Sequence, residues 1–305
     1  MKGLSAFDGG PGPATAVITD SGLGGLLICA DLESRLRRSA PDGAVRLIYV
    51  NAWPEAGQGY NDLPDLEARA AVFDRALAAM TAFRPGLILI ACNTLSVVYE
   101  STAFSRAPAV PVTGILEEGA ELFGRALARD PSGRLILFGT RTTVGSGEHL
   151  RRLAGRGADP GRVIAEACHG LAGVIDKDPD SSAVAGLVGE CVARAARRLP
   201  PGGTLYAGLA CTHYAYVGQV FLEALSRQTG SAVEVLDPGR GLVDRLTCSL
   251  DRRRPGSGDR PVTVEVVSKV ELPESQRRAV AARVEPVSPA AARALLDYAR
   301  KPHLF

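Results

Sequence analysis

The sequence lacks an excess of charge of either sign. Its 305 residues contain 35 Lys and Arg against 33 Asp and Glu, a formal net charge of +2 at pH 7. A nucleic-acid-binding surface needs a strong basic excess on one face, so this balance argues against a nucleic-acid partner. No apolar run approaches the roughly 18 residues of a membrane-spanning helix, so no membrane partner is expected.

Signals for metal fingers and structural disulfides are also missing. The chain has only four His, and its six Cys form no CxxC pair. A chain of this length buries a large core without disulfides, and residues 1–13 lack the basic-then-apolar pattern of a secretory signal. These features predict a cytoplasmic protein with reduced cysteines and no metal site.

Short apolar runs alternate with amphipathic stretches along the chain. The predicted strands are residues 14–19, 45–50, 87–91, 110–115, 134–138, 163–166, 205–209, 233–236 and 262–267. The predicted helices are residues 22–38, 66–83, 96–104, 117–128, 143–154, 182–198, 216–227, 241–250 and 290–299, with a polar, solvated connector at 252–260. This alternation predicts an α/β fold with mostly parallel sheets flanked by helices. Because ligands of such sheets bind beyond the carboxyl ends of the strands, the loops there should carry the chemistry.

A Gly-rich loop, residues 19–26 (TDSGLGGL), follows the first predicted strand. It matches neither the GxGxxG dinucleotide fingerprint nor the Gly-Lys-Ser/Thr of a P-loop. Glycines let the backbone approach a ligand closely, and free N–H groups at a helix start favour an anion. The loop is therefore predicted to hold a small carboxylate, and a plain Gly-rich turn with Asp20 as a helix cap is the alternative.

Two cysteines occupy matching positions in a weak internal repeat. Cys92 opens the segment CNT and Cys211 opens the segment CTHY, and each comes directly after an apolar strand that ends in Ala. A thiol at a helix start is stabilised as thiolate by the N–H groups and the dipole, which predicts a pKa lowered from about 8.5 toward neutrality. The polar residues that follow each Cys can donate hydrogen bonds to a carboxylate or to its developing enolate oxygens.

Two activated thiols in matching positions suggest two opposed proton-transfer groups. Inversion of a stereocentre needs this arrangement, because one group removes a proton from one face while the other donates to the opposite face. Two other interpretations stay open: a redox disulfide pair and a hydrolase built on Cys211 and His213. The other residues of these types are predicted to be structural: Cys29, Cys191 and Cys248 in helices, Cys168 beside the cleft, and His149 and His303 at the surface.

Together the motifs resemble the signature segments of the cofactor-independent aspartate/glutamate racemase family, and within it the glutamate racemases. The resemblance rests on residues 20–25 (DSGLGG), 91–94 (ACNT) and 210–214 (ACTHY), supported by 112–120 (VTGILEEGA) and 139–147 (GTRTTVGSG). It implies an isomerase that inverts Cα of an amino acid without PLP, metal or nucleotide. The expected partner is a small amino acid or carboxylate, with glutamate as substrate and D-glutamate supply for peptidoglycan as the role.

The resemblance also implies the architecture and the roles of residues. Two pseudo-symmetric α/β domains, residues 1–113 plus 234–305 and residues 114–233, would face each other across an active-site cleft. Cys92 would act on the D-enantiomer and Cys211 on the L-enantiomer, with Asp20 and His213 assisting them. The substrate would be held by Ser21, Asn93, Thr94, Thr143, Thr212, Gln58 and Gly59.

One loop departs from the family pattern. Glutamate racemases carry Pro-Tyr-Gly where the best register of this chain places Gly57-Gln58-Gly59. A carboxylate that the family places near its catalytic His would fall at Asp176. This departure puts the substrate in question more than the fold. The open alternatives are an isomerase or decarboxylase for another amino acid or carboxylate, and a non-catalytic carboxylate-binding relative. The oligomeric state, a homodimer included, is also open.

Overall fold

The strands form two separate parallel sheets. The computed structural model describes residues 14–39, 43–199, 203–247 and 261–305. The first sheet contains β1 (Ala14–Asp20), β2 (Val45–Asn51), β3 (Leu87–Ile90), β4 (Val112–Gly114), β9 (Val262–Ser268) and β10 (Ala299–Arg300), in the order β10-β9-β2-β1-β3-β4. The second contains β5 (Arg134–Gly139), β6 (Val163–Ala167), β7 (Leu205–Ala210) and β8 (Val233–Leu236), in the order β6-β5-β7-β8. All of these pairings are parallel, which confirms the predicted α/β class.

Helices cover both sheets. Those that follow strands of the first sheet are α1 (Leu26–Ser39), α2 (Leu66–Met80), α3 (Asn93–Tyr99), α4 (Ala103–Arg106), α5 (Ile115–Arg129), α12 (Glu274–Val284) and α13 (Pro289–Leu296). The others are α6 (Arg141–Gly145), α7 (Glu148–Ala154), α8 (Leu171–Lys177), α9 (Ser182–Ala196), α10 (Gly218–Thr229) and α11 (Pro238–Thr247). Short 3₁₀ helices span Tyr60–Asp62, Thr81–Phe83, Pro160–Arg162 and Thr212–Val217. No helix among the described residues is long and apolar enough to cross a membrane.

The core explains the continuous apolar runs of the central strands. β3 reads LILI and is buried at every position, as expected for a parallel strand with helices on both faces. On α5, Leu116, Ala120, Phe123 and Leu127 recur at helical spacing and are all buried. Burial of each large apolar side chain contributes about 1.5–3 kcal/mol, so the strand and helix faces fix the positions of the loops between them.

Register brings the strand ends together. β1 ends at Asp20 opposite Asn51 of β2, and β5 ends at Gly139 opposite Ala210 of β7. The residues after these strands therefore lie at one edge of each sheet. This is the edge at which parallel sheets bind their ligands.

Several elements differ from their predicted bounds. The first helix begins at Leu26, because residues 21–25 form turns, and the predicted helix 143–154 is divided near Gly147, whose φ is +67°. Helices α8 and α12 were not predicted. α8 is only seven residues long, and α12 (ESQRRAVAARV) is largely polar, so neither has a strong apolar period.

The chain passes to the second sheet after β4 and leaves it after β8. Residues 234–236 pair with β7, although the prediction assigned them to the first domain. After β8, α11 packs against both α1 and α5. The domain limits stay a prediction, with β8 moved to the second sheet. Cys248 and the connector 252–260 lie outside the described residues.

His149 is buried, which corrects its predicted surface position, whereas His303 is exposed as expected. The His149 ring lies beside Phe123, with ring centroids 6.2 Å apart, and neither ring nitrogen has a hydrogen-bond partner among the described residues. Burial, together with the charge of Arg152, lowers the pKa of His149 from 6.5 to about 4. The imidazole is therefore neutral at pH 7 and acts as a core side chain.

Candidate active site

A cavity of about 180 Å³ lies between the carboxyl ends of the two sheets. Its volume is below the roughly 300–1,000 Å³ of sites for drug-sized ligands, which suits a single small molecule. Its wall includes these residues predicted for the site: Ser21, Gly59, Cys92, Asn93, Thr94, Cys211, Thr212 and His213. The loops after the strands of both sheets therefore converge on one cavity. Among the described residues, no group of His, Cys, Asp or Glu is arranged to hold a metal ion.

Three predicted site residues do not line this cavity. Asp20 is fully buried behind Ser21, and Thr143 lies behind Thr94 with their hydroxyl oxygens 3.2 Å apart. Gln58 is exposed on a turn closed by a bridge to Glu55. The structure thus places Gln58 outside the cavity wall, and its contact with the substrate stays a prediction.

The loop after β2 reaches the cavity through Gly59, Tyr60 and Asn61, whereas the segment predicted to face the substrate was 57–59. The Gly59 N–H donates to Asp62 Oδ2 at 2.8 Å and fixes the start of the short helix Tyr60–Asp62. Trp53 lines the cavity as well, and its ring lies against Gly59. The lining segment 59–61 begins two residues beyond the predicted segment 57–59, and no local pattern in this Gly-rich stretch distinguishes the two.

Cys92 is the N-cap residue of α3. Its Sγ accepts a hydrogen bond from the Leu95 N–H at 3.5 Å and lies 3.3 Å from Ser21 Oγ. Burial and the nearby Asp20 carboxylate raise the pKa of Cys92 well above its usual value, against the opposing effect of these hydrogen bonds. The predicted lowering is therefore wrong for Cys92, because a seven-residue helix does not offset complete desolvation. Cys92 is a thiol at neutral pH.

Cys211 follows β7 and lines the same cavity. Its Sγ lies 3.7 Å from His213 Nδ1, and His213 Nε2 lies 2.7 Å from Asp176 Oδ1. Burial alone would lower the pKa of His213, but hydrogen bonds and charge from Asp176 and Cys211 raise it well above its usual value. His213 is therefore held protonated by its partners, and its Nδ1 lies on the side of the Cys211 sulfur.

The two thiols have opposite electrostatic surroundings. On one side of the cavity, Cys92 is close to the Asp20 carboxylate and keeps its proton. On the other side, Cys211 faces the protonated imidazole of His213. Cys92 is thus set to donate a proton, while a cationic ring lies beside Cys211, so the two sulfurs differ in the charge that faces them.

Asp176, on α8, connects the part of the chain around the second sheet to the part around the first sheet. Besides His213, its carboxylate accepts hydrogen bonds from the Leu23 N–H at 2.7 Å and from Gln276 Nε2 at 2.6 Å. Leu23 belongs to the Gly-rich loop, and Gln276 lies on α12. One N–H of the loop therefore binds a carboxylate of the protein itself, and the binding of a small carboxylate ligand by this loop stays a prediction.

Two buried tyrosines hold the Gly-rich loop from behind. Tyr49 donates its hydroxyl hydrogen to the Gly22 carbonyl at 2.6 Å, and Tyr216 donates to the Leu23 carbonyl at 2.9 Å. Both come from apolar sequence segments that gave no sign of this role. They leave the loop backbone little freedom beside the catalytic candidates.

Gly24 allows the Gly-rich loop to lie directly against the His213 segment. A Cβ at Gly24 would lie 2.5 Å from Thr212 Oγ1 and 2.7 Å from the backbone nitrogen of His213. Gly24→Ala is therefore expected to displace His213, to destabilise the fold by about 1–3 kcal/mol and to lower kcat/KM at least about tenfold. Thermal unfolding and steady-state kinetics measure these effects.

The matched control is Gly186→Ala. A Cβ at Gly186, inside α9, meets no atom within 4 Å, so this change should raise stability by about 0.5–1 kcal/mol and leave kinetics unchanged. Equal kinetics for the two variants would contradict the assigned role of Gly24.

Hydroxyl and amide groups form the floor of the cavity. Thr94 Oγ1 lies 2.9 Å from Thr140 Oγ1, and Thr140 Oγ1 lies 3.0 Å from Thr143 Oγ1, which ties α3 to α6 across the cleft. The Asn93 side chain is 1% exposed, and neither of its amide atoms has a hydrogen-bond partner among the described residues. A buried amide that lines a cavity without a partner is ready to bind a ligand.

Cys168 also lines the cavity, next to Cys191 of α9. The hydrogen bond with Cys191, together with burial, raises the pKa of the Cys168 thiol. Arg194 Nη2 lies 3.3 Å from Cys191 Sγ on the far side. Cys168 is therefore not an activated thiol, in line with its predicted structural role.

Comparisons with known proteins agree with the motifs. The family model described as Asp/Glu/Hydantoin racemase matches residues 23–246. The glutamate racemase of Chlorobaculum tepidum is 31% identical over 129 residues, 42% of this chain and 43% of that protein. That of Aquifex pyrophilus is 29% identical over 156 residues, 50% of this chain and 53% of that protein. The matched segments thus span about half the length of these relatives.

A solved structure has the same fold. The glutamate racemase of Campylobacter jejuni superposes with a TM-score of 0.63 at 21% identity and covers 94% of this chain and 100% of that chain. At 21% sequence identity, this similarity shows a shared fold and does not identify a substrate.

Proposed function

The chain belongs to the Asp/Glu/hydantoin racemase family, and on that premise we propose that it is a cofactor-independent racemase that inverts the Cα of glutamate. The observation that carries this proposal is the pair Cys92 and Cys211, which reach one cavity from two sheets with opposite electrostatic surroundings. The names of the relatives supply glutamate as the substrate.

The proposed reaction moves one proton off and one proton onto the substrate. With L-glutamate, the Cys211 thiolate removes the Cα proton, and the Cys92 thiol donates its proton to the opposite face. The products are D-glutamate, a Cys211 thiol and a Cys92 thiolate, and the reverse reaction restores the starting state. A Cα–H bond beside a carboxylate is a weak acid, so the developing enolate charge needs hydrogen-bond donors in a site shielded from water.

The donors and acceptors for the substrate are already in place. The Asn93 amide and the Thr94 hydroxyl are suited to the α-carboxylate. Thr212 donates its hydroxyl hydrogen to Asp20 Oδ2 at 2.7 Å, which leaves its oxygen to accept from the substrate ammonium. In this assignment Asp20 orients Thr212, and Ser21 faces the sulfur of Cys92.

The setting of the enzyme is part of the same proposal. Both thiols must be reduced to transfer protons, which supports a location in the cytoplasm. A role in supplying D-glutamate for peptidoglycan and assembly as a homodimer are the further expectations from the family resemblance.

Proton exchange tests the proposed function directly. We expect the protein to introduce deuterium at Cα of glutamate in deuterated water and to interconvert the enantiomers, as followed by ¹H NMR and chiral chromatography with a panel of L- and D-amino acids. Release of CO₂ would indicate a decarboxylase instead. Stabilisation by a ligand without any Cα exchange would indicate a carboxylate-binding relative.

A further inference from the structure

Arg141 is the one Lys or Arg among the described residues that line the cavity. It makes no hydrogen bond or ion pair to any described residue. Other arginines of the same region are paired: Arg152 on α7 contacts the carboxylates of Glu100, Glu117 and Glu148. Arg141 is therefore a cation of the cavity wall without a carboxylate partner among the described residues.

The backbone of Arg141 is held between the two sheets. The preceding residue, Thr140, is hydrogen-bonded to Thr94 at 2.9 Å, and the following residue, Thr142, donates its hydroxyl to Asn61 Oδ1 at 2.8 Å. Both bonds cross the cleft. Arg141 both lines the cavity and is exposed to solvent, which places it at the opening of the cavity, whereas Cys92 and Cys211 are buried.

The anionic groups of the cavity do not neutralise Arg141. Asp176 is engaged by His213, Leu23 and Gln276. Asp62 lies at the mouth, accepts the Gly59 N–H, and makes no ion pair with Arg141. A guanidinium binds a carboxylate with two parallel hydrogen bonds, so an incoming carboxylate is the partner that its geometry favours.

We infer that Arg141 binds the distal carboxylate of the substrate and so selects amino acids that carry a second acidic group. The α-carboxylate is then held on the floor by Asn93 and Thr94, and the side chain extends toward the mouth. This inference rests on the proposed function, and it assigns Arg141 to substrate selection rather than to proton transfer.

The test compares D-glutamate with its neutral isostere D-glutamine in wild type, Arg141→Gln and Arg141→Lys. We expect Arg141→Gln to raise KM for D-glutamate about 10- to 100-fold, with kcat changed less than about threefold and the preference over D-glutamine largely lost. Arg141→Lys should lie between, because it keeps the charge but not the two-pronged geometry. Calorimetric titration of both ligands gives the same comparison without turnover.

Two control variants separate this role from others. Arg227→Gln removes an exposed arginine of α10 outside the cavity and should leave both constants unchanged. Asp62→Asn removes the competing carboxylate and should lower KM for D-glutamate. If Arg141 instead serves to pair with Asp62, the two variants at the mouth will raise KM equally, which overturns the inference.

The outcomes distinguish this inference from the proposed function. Cα exchange by wild type with an unaltered glutamate preference in Arg141→Gln overturns the role of Arg141 and leaves the racemase intact. Absence of Cα exchange, with glutamate binding that depends on Arg141, overturns the racemase and supports the role of Arg141. Failure of wild type to prefer glutamate over glutamine in either assay overturns the inference.

Discussion

Replacing either Cys92 or Cys211 by Ala should abolish the interconversion of L- and D-glutamate, a loss on the order of 10³-fold or more. Each thiol is the proposed proton-transfer group on its own side of the cavity, and a methyl group cannot replace it. Chiral chromatography started from each pure enantiomer measures the loss. Either variant retaining near-full turnover would contradict the two-base mechanism.

The single-Cys variants should also separate exchange from inversion. With Cys92→Ala, the remaining Cys211 can remove the Cα proton of L-glutamate and return a solvent-derived proton to the same face. Deuterium should then enter L-glutamate without formation of D-glutamate, and Cys211→Ala should show the mirror-image behaviour.

Cys29→Ala is the matched control. Cys29 is buried in α1 outside the cavity, and burial, with a contribution from Glu33, raises its pKa to about 12, so it is an inert thiol. This variant should keep nearly full activity. A loss equal to that of the cavity variants would show that removal of any cysteine damages the fold.

Replacing Asp176 by Asn should lower kcat/KM by about 10²-fold in both directions. The two enantiomers have equal free energy in water, so the ratio of the two kcat/KM values must stay at one. The loss arises because burial alone would lower the pKa of His213, and the hydrogen bond and charge of Asp176, with those of Cys211, raise it. Asp176 is a positioning residue, so its signature is the pH profile: the alkaline decline in activity should begin at lower pH in the variant.

The same change has a defined effect on stability. The pKa of folded His213 is raised above that of an unfolded His, so its contribution to the free energy of unfolding is fully present below pH about 6.5. It declines as pH rises through the raised pKa. The difference in the free energy of unfolding between wild type and Asp176→Asn should therefore shrink as pH rises above about 6.5. Denaturant titrations at several pH values measure this difference.

A nearby carboxylate provides the control. Asp180 pairs with Arg283 of α12 on the exposed surface, away from the cavity. Asp180→Asn should change stability by less than about 1 kcal/mol and leave the pH profile of activity unchanged. If Asp176→Asn behaved in the same way, the assigned link between Asp176, His213 and Cys211 would be wrong.

The fold class followed from local sequence patterns. Runs such as LILI in β3 are apolar at every position because helices cover both faces, and the same signal recurs in the other central strands. The placement of Cys92 and Cys211 directly after such strands was sufficient to expect them at the binding edge. α8 and α12 escaped detection because one is short and the other polar, yet they carry Asp176 and Gln276.

The sequence by itself determined the α/β architecture and the family, and it singled out Cys92 and Cys211 as the candidate proton-transfer groups. Apolar periodicity and short motifs are properties of neighbouring residues, so they can be identified without the structure. Only the tertiary structure decided that Cys92 is a thiol and that His213 is protonated, since both depend on burial and on charges from Asp20 and Asp176. It also decided that Tyr60 and Arg141 line the cavity while Gln58 does not. The direction of a loop side chain depends on packing against segments far away in the chain, which no local pattern contains.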